Sequence, residues 1–103
     1  MKEPVRISHT SALILQTINA GFIYGFDVME ATGLPSGTVY PALRRLEKEK
    51  LIVGQEEDAR KAARENRPAR RYYKLTTPGR QVLAAALERY PLLSKLSPAE
   101  KNA

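Results

Sequence analysis

The chain has 103 residues, 43% of them hydrophobic and 27% charged, which fits one small folded domain and argues against global disorder. It has no cysteine, which excludes a disulfide framework and thiolate metal sites and fits a reducing compartment. With 17 basic against 11 acidic residues the formal charge is +6; unless it only serves solubility, such an excess suits a polyanionic partner, nucleic acid or an acidic membrane.

No stretch is long enough to cross a membrane. The longest apolar run, Ala12 to Leu15, is cut by Gln16 and Asn19, far short of the ~20 residues needed. Lys2 and Arg6 ahead of it imitate a signal peptide, but the run is too short for one and reads better as a helix face. A cytoplasmic protein without a membrane partner is therefore expected. The first helix is predicted to start within Ser8-His9-Thr10-Ser11, with Ile14, Ile18 and Phe22 along one side, and to end at Gly21. A second, short helix is predicted over Tyr24 to Thr32, with Gly33 placed for a left-handed C-terminal cap.

The third helix is predicted from Ser36 or just before it. At about 100° per residue Val39, Ala42, Leu43 and Leu46 share one side, while Gly37, Pro41, Arg44, Arg45 and Lys48 fall on the other. Pro41 lies beyond the first turn, where its missing N–H costs a bond, so a local widening or bend is expected there. Lys50 stands at the helix exit, where glycine fits better. Leu51 to Glu56 reads as a strand with Leu51 and Val53 on one face; Arg71 to Leu75 reads as its partner, with Tyr73 and Leu75 inward. Between them Asp58 to Ala69 favours helix by composition. It is too short to be stable alone, so it is expected to be mobile when unbound, with Pro68 closing it. Thr77-Pro78-Gly79 reads as the start of a last helix, a hydroxyl cap and then proline at the first helical position. Leu83, Ala86, Leu87 and Tyr90 recur at helical spacing until Pro91 ends it, and the polar chain from Ser94 onward is expected to fray.

This order is mainly α with a small β-hairpin: a winged helix-turn-helix (α-α-α-β-β-α) over residues 1–93, with the wing at about 51–76 and a polar tail over 94–103. Two basic sets stand out on it. On the third helix Arg44, Arg45 and Lys48 face outward, and such a helix fits a major groove where arginine pairs with guanine. Arginine and lysine stripes are often only solvated faces. Here Gly37 permits close approach, Thr38 and Tyr40 add hydroxyls, and the helix N-terminus at Ser36 is a phosphate site. On the wing Arg60, Lys61, Arg64, Arg67, Arg70, Arg71 and Lys74 are opposed between positions 60 and 74 by Glu65 alone. Solubility or protection of a sheet edge needs only one or two of these. If roughly six basic side chains neutralise phosphates, affinity falls with salt at a log–log slope of about −5.

Tyr24, Tyr72 and Tyr73 read as packing residues rather than base-stacking platforms, with Tyr40 the exception as a phosphate-bonding candidate. His9, the only histidine, falls in a cap region, and no nucleophile, metal spacing or glycine-rich phosphate loop accompanies it. Glu56-Glu57-Asp58 stands at the mouth of the wing, placed to pair with nearby arginines and too sparse for a metal. No enzyme activity, catalytic residue, metal or cofactor is expected.

Four segments together resemble the PadR-like family of bacterial winged-helix transcriptional regulators. They are Tyr24-Gly25-Phe26-Asp27-Val28, Gly37-Thr38-Val39-Tyr40-Pro41-Ala42-Leu43-Arg44-Arg45-Leu46-Glu47, Arg70-Arg71-Tyr72-Tyr73-Lys74-Leu75-Thr76 and Pro78-Gly79-Arg80, and the resemblance spans about Ser11 to Tyr90. It implies a sequence-specific binder of double-stranded DNA, commonly a repressor and a homodimer, with some members released by small aromatic compounds. Ser36, Thr38, Tyr40 and Arg44 would then face the major groove and adjacent phosphates, and the wing arginines the neighbouring backbone or minor groove. The chain departs from the family at Pro35, which leaves Ser36 to cap, and at Lys50 in place of glycine. It also stops soon after Tyr90, where many members add long C-terminal helices. Dimerisation is therefore expected to rest on the first helix and on Leu83, Leu87 and Tyr90. No effector is identified, and a winged-helix protein-docking module or a small aromatic ligand sensor are the alternative functions.

Overall fold

Local capping chemistry sets where the helices begin and end in this computed structural model, which describes residues 6–95. Lys2 and the expected tail beyond Lys95 lie outside the described residues. Helix α1 (His9–Asn19) starts after Ser8, whose hydroxyl accepts from the Ser11 amide at 3.1 Å. Helix α2 (Gly25–Thr32) stops at Gly33, which is left-handed as expected, with φ 74°. Helix α3 (Ser36–Lys48) follows Pro35, which occupies the cap position without a side-chain bond; Ser36 is thus the first helical residue and not the cap. The helix runs on through Pro41. The proline leaves the Gly37 carbonyl without its donor, and both residues are exposed, so water can replace the bond.

The exit of α3 is a complete paired-bond cap. Lys50 adopts φ 62°, its amide donates to the Glu47 carbonyl at 3.0 Å, and the Leu51 amide donates to the Leu46 carbonyl at 3.0 Å. Leu46 and Leu51 are both buried beneath it. Because Leu51 completes this turn, strand β1 (Ile52–Glu56) starts one residue later than expected. Its phase changes accordingly: Ile52 faces the core, while Val53 is 44% exposed and not inward.

Strand β2 (Arg71–Leu75) pairs antiparallel with β1, from Leu75 opposite Ile52 to Arg71 opposite Glu56. Tyr73 and Leu75 are buried, as expected. The other edge of β2 has a neighbour that the sequence did not reveal. The Tyr73 amide donates to the Ile23 carbonyl at 2.9 Å, and Tyr24 bridges Tyr72. Between the strands a short helix α4 (Ala59–Arg64) forms, capped by Asp58, which accepts from the Arg60 amide at 2.9 Å. With Ala62 buried, this connector is anchored where a loose segment was expected.

Helix α5 (Thr77–Arg89) takes Thr76 as its cap, one residue earlier than expected. The Thr76 hydroxyl accepts from the Gly79 amide at 3.0 Å and donates to the Lys50 carbonyl at 2.7 Å. Gly79 lies so near the α3 exit that a Cβ there would stand 1.9 Å from the Leu51 carbonyl oxygen. The end of α3 and the start of α5 are therefore one joint. Pro91 does not simply end the helical run; it opens a further short helix, α6 (Pro91–Lys95), as its first residue, so Ser94 and Lys95 are helical. Gln16 of α1 holds α6 through a 2.9 Å bond from Nε2 to the Leu93 carbonyl.

The core lies where α1, α2, α3, the hairpin and α5 converge, with Ile14, Leu15, Val28, Val39, Leu43, Leu46 and Ile52 fully buried. The larger of these side chains contribute roughly 1.5–3 kcal/mol each by leaving water. That inner set anchors α3 and leaves its other face outward. Lys50→Gly should stabilise the protein by about 0.5–1 kcal/mol, because glycine carries no Cβ penalty in the left-handed turn and this gain exceeds its added freedom when unfolded. A denaturant midpoint that stays put or falls would contradict this.

Candidate nucleic-acid interface

Alternation along β2 places Arg71 on the same face as Tyr73 and Leu75. Leu75 and Tyr73 reach the core, and Arg71, further out, crosses to α3, where its Nη2 donates to Glu47 Oε2 at 2.6 Å. This bond holds the guanidinium firmly protonated, above its ordinary range. The side chain gets there by lying across Gly54, where a Cβ would stand 2.7 Å from Arg71 Nε. Tyr40, Arg44, Glu47 and Lys48 of α3, with Arg71 and Tyr73 of β2, line an open groove of about 660 Å³. Burial raises the Tyr73 phenol above its usual range, so it remains a neutral donor. An adjoining hollow of about 210 Å³ shares Tyr40, Arg71 and Tyr73 and adds Tyr24, Gly25, Phe26 and Arg70. Gly25 lets the Tyr40 ring settle on the start of α2, since a Cβ there would stand 2.6 Å from Tyr40 Cε1.

The residues singled out on the third helix therefore divide. Tyr40, Arg44 and Lys48 meet in the groove, and Glu47 and Tyr73, which sequence reasoning did not select, complete it. Ser36 and Gly37 are exposed and Thr38 half-buried in the first turn, outside the groove lining. Arg45 points elsewhere: its Nη2 donates to Ser11 Oγ at 3.3 Å, beside Arg6, Ser8 and Glu49.

The seven wing cations divide as well. Glu57, with its side chain 5% exposed, is the hub of the connector. Both terminal nitrogens of the Arg67 guanidinium donate to it, Nη2 at 2.9 Å, and it also accepts from the Arg70 amide at 3.2 Å and Arg70 Nη2 at 3.3 Å. The Arg67 bonds, then those from Arg70, hold the Glu57 carboxyl down to about 2 against the opposing effect of burial. Arg70 also lies over the Tyr24 ring, 4.0 Å from its centroid. The expected pairing of the acidic triplet with arginines thus falls on Glu57, while Asp58 caps α4. Arg60, Lys61 and Arg64 are exposed on α4 and make no ion pair among the described residues. They do not line the groove, nor does Lys74, which projects from the opposite face of β2 to Arg71.

At the other end of the molecule the proposed dimer residues are only partly available. Leu83 is 5% exposed and belongs to the core, with Leu87 and Tyr90 half-buried against it. The Tyr90 ring packs on His9 at 3.9 Å between centroids. The exposed apolar residue here is Leu92, in a hollow of about 440 Å³ bordered by His9, Arg89, Tyr90, Pro91 and Leu93. Among the described residues no group of His, Asp and Glu is placed to hold a metal ion, and no helix is long and apolar enough to cross a membrane.

Residues 14–85, from α1 to α5 and including every residue of the groove, match the transcriptional regulator PadR-like family. The chain belongs to that family. Its PadR-like fold is similar to that of a PadR family transcription regulator from hypervirulent Clostridium difficile R20291, with a TM-score of 0.71 and 23% identity over 86% of this chain and 94% of that one. It is also similar to the PadR-like transcription factor of Bacteroides fragilis, with a TM-score of 0.60 and 22% identity over 82% of this chain and 86% of that one. BpsR of Bordetella bronchiseptica, whose DNA binding is regulated by 6-hydroxynicotinic acid, gives a TM-score of 0.69 and 17% identity, over 89% of this chain and 65% of its own. No curated protein sequence matches.

The hub of the PadR-like wing has a direct pH signature. Its folded carboxyl sits below the ordinary 4.5, so its contribution is complete above about 4.5 and is lost as pH falls through about 2. The Arg70 amide, which donates to Glu57, should report the titration by NMR with a midpoint near 2. A midpoint at the ordinary carboxylate value would mean the two arginines do not hold Glu57 in solution.

Proposed function

We propose that this PadR-like chain is a cytoplasmic, sequence-specific binder of double-stranded DNA that represses transcription as a homodimer, without catalysis. The observation that carries the reading is the groove in which Arg44 and Lys48 of α3 meet Arg71 of the wing beside the Tyr40 and Tyr73 phenols. Cations from two separate parts of the chain converge there. A helix the width of α3 fits a major groove, arginine pairs bidentately with guanine, and phosphates accept from lysine, arginine and phenol. Arg60, Lys61 and Arg64 add an exposed basic set on the wing, suited to backbone contact and indifferent to sequence. The exposed Leu92 and the half-buried Tyr90 and Leu87 offer a small apolar face for the second copy. The neighbouring apolar hollow and the regulation of BpsR by 6-hydroxynicotinic acid support a second reading, a small aromatic effector acting at that corner. A thermal shift against aromatic acids tests it, and a flat response throughout would remove it.

Selection of bound fragments from a random duplex pool at two salt concentrations tests the main reading. The expected product is an inverted repeat with half-sites about one helical turn apart, and a reporter behind that site should fall when the chain is expressed. Salt-insensitive binding without enrichment would point instead to a protein-docking module. Arg44→Ala should cost about 1–3 kcal/mol on the selected site and little on random DNA. Equal losses on both would place Arg44 on phosphate. Replacing Arg60, Lys61 and Arg64 together with alanine should flatten the salt slope by about two to three units, and an unchanged slope would take α4 off the duplex.

A further inference from the structure

Glu47 is an acidic residue in the middle of the surface offered to a polyanion. It lines the groove with three cations, Arg44, Lys48 and Arg71, and it takes the Nη2 of Arg71 at 2.6 Å. The pair is open to solvent, with side chains 44% and 34% exposed for Arg71 and Glu47. Neither partner supplies core packing, and an ion pair this exposed is weak and exchanges readily with competing anions. Two features make the pairing specific all the same. Gly54 leaves the guanidinium a flat path across β1, and β2 alternation aims Arg71 at α3. The guanidinium fork accepts a carboxylate and a phosphate with the same geometry.

From this, and resting on the DNA-binding reading above, we infer that Glu47 is a built-in stand-in for a DNA backbone phosphate, closing on Arg71 in the free protein and giving it up to a phosphodiester on binding. The exchange sets specificity. On any duplex the released carboxylate lies against phosphates and opposes binding, so random DNA is held less tightly than the cations alone would hold it. On a site that presents a cytosine amine to this part of α3, the carboxylate regains a donor and the opposition disappears. Glu47 is thus a specificity-determining residue, and Arg71 is a phosphate contact available only by exchange.

The test compares Glu47→Gln with wild type on random duplex and on the selected site. Glu88→Gln, an exposed glutamate of α5 outside the groove, serves as the charge-matched control. E47Q should bind random duplex about three- to tenfold more tightly at low salt, with a slope about one unit steeper, and lose discrimination between the two DNAs, whereas E88Q should change little. Equal tightening by E88Q would reduce the effect to net charge and overturn the inference, as would unchanged or weaker binding of E47Q to random DNA. A second readout needs no variant: in the wild-type protein the Glu47 carboxyl carbon and Arg71 Nε–H resonances should shift together on adding duplex. If the protein binds duplex while both stay in place, the exchange alone is refuted; if it binds no duplex at all, both proposals end.

Discussion

Strand β2 and helix α3 share one apolar core at their bases and are joined at the rim by the Arg71–Glu47 ion pair. Leu75 and Tyr73 sink into the core, and Arg71, two residues further out on the same face, crosses to Glu47 at 2.6 Å. The shared core already sets the hairpin beside α3, and the ion pair aims the Arg71 guanidinium across the gap. With it, Arg44 and Lys48 share one groove with Arg71. The contact depends in turn on the joint at the base of the hairpin. There the Thr76 amide donates to the Leu51 carbonyl at 3.1 Å and the Thr76 hydroxyl to that of Lys50 at 2.7 Å, holding the ends of both strands beside the α3 exit.

Charge on this protein is organised by two carboxylates more than by the number of cations. Glu57 holds Arg67 and Arg70, and Glu47 holds Arg71, so three of the seven wing cations have internal partners. Their roles differ because their surroundings differ. Glu57 is buried and takes several donors, which makes it structural: it anchors the connector that carries Arg60, Lys61 and Arg64. Glu47 is partly exposed and takes a donor from Arg71 alone among the described residues, so its pair can open without disturbing the core. A sum over the sequence treats these two glutamates alike and overstates the charge that is free.

The fold was legible where one residue type decides the local outcome. Gly33 ends α2, Ser8 caps α1, Lys50 is forced left-handed at the α3 exit, and the apolar spacing in α3 gives its buried side. Errors of a single residue arose where two devices overlap. Leu51 belongs to the helix cap before it belongs to the strand, which shifts the inward position from Val53 to Ile52. Thr76 and Thr77 are both hydroxyl residues ahead of proline, and it is Thr76 that caps, accepting from the Gly79 amide while it donates to the Lys50 carbonyl. The anchored connector was out of reach for another reason: α4 is marginal by itself, and the residues that hold it, Arg67 and Arg70, read in sequence as ligand contacts. Helical spacing likewise cannot tell Leu83, which is buried, from a residue on a free face.

Glycines show the same limit within the candidate site. Gly37, on the outer face of α3, reads as the position for close approach, yet a Cβ there would meet nothing of the protein within 4 Å. Any approach it permits is therefore to something outside the chain. The glycines that shape the groove are Gly25 and Gly54, each lying under a polar side chain from a different element. Gly25 sits against the Tyr40 ring and Gly54 against the Arg71 guanidinium, at 2.6 and 2.7 Å from where a Cβ would stand. Both side chains occupy space that a Cβ at the glycine would take, and both line the groove between helix and hairpin. Neither glycine needs a positive φ here, so no turn signal marks them, and their function is visible only once residues far apart in the chain are brought together. The polar groove thus depends on two absent side chains as much as on the cations that line it.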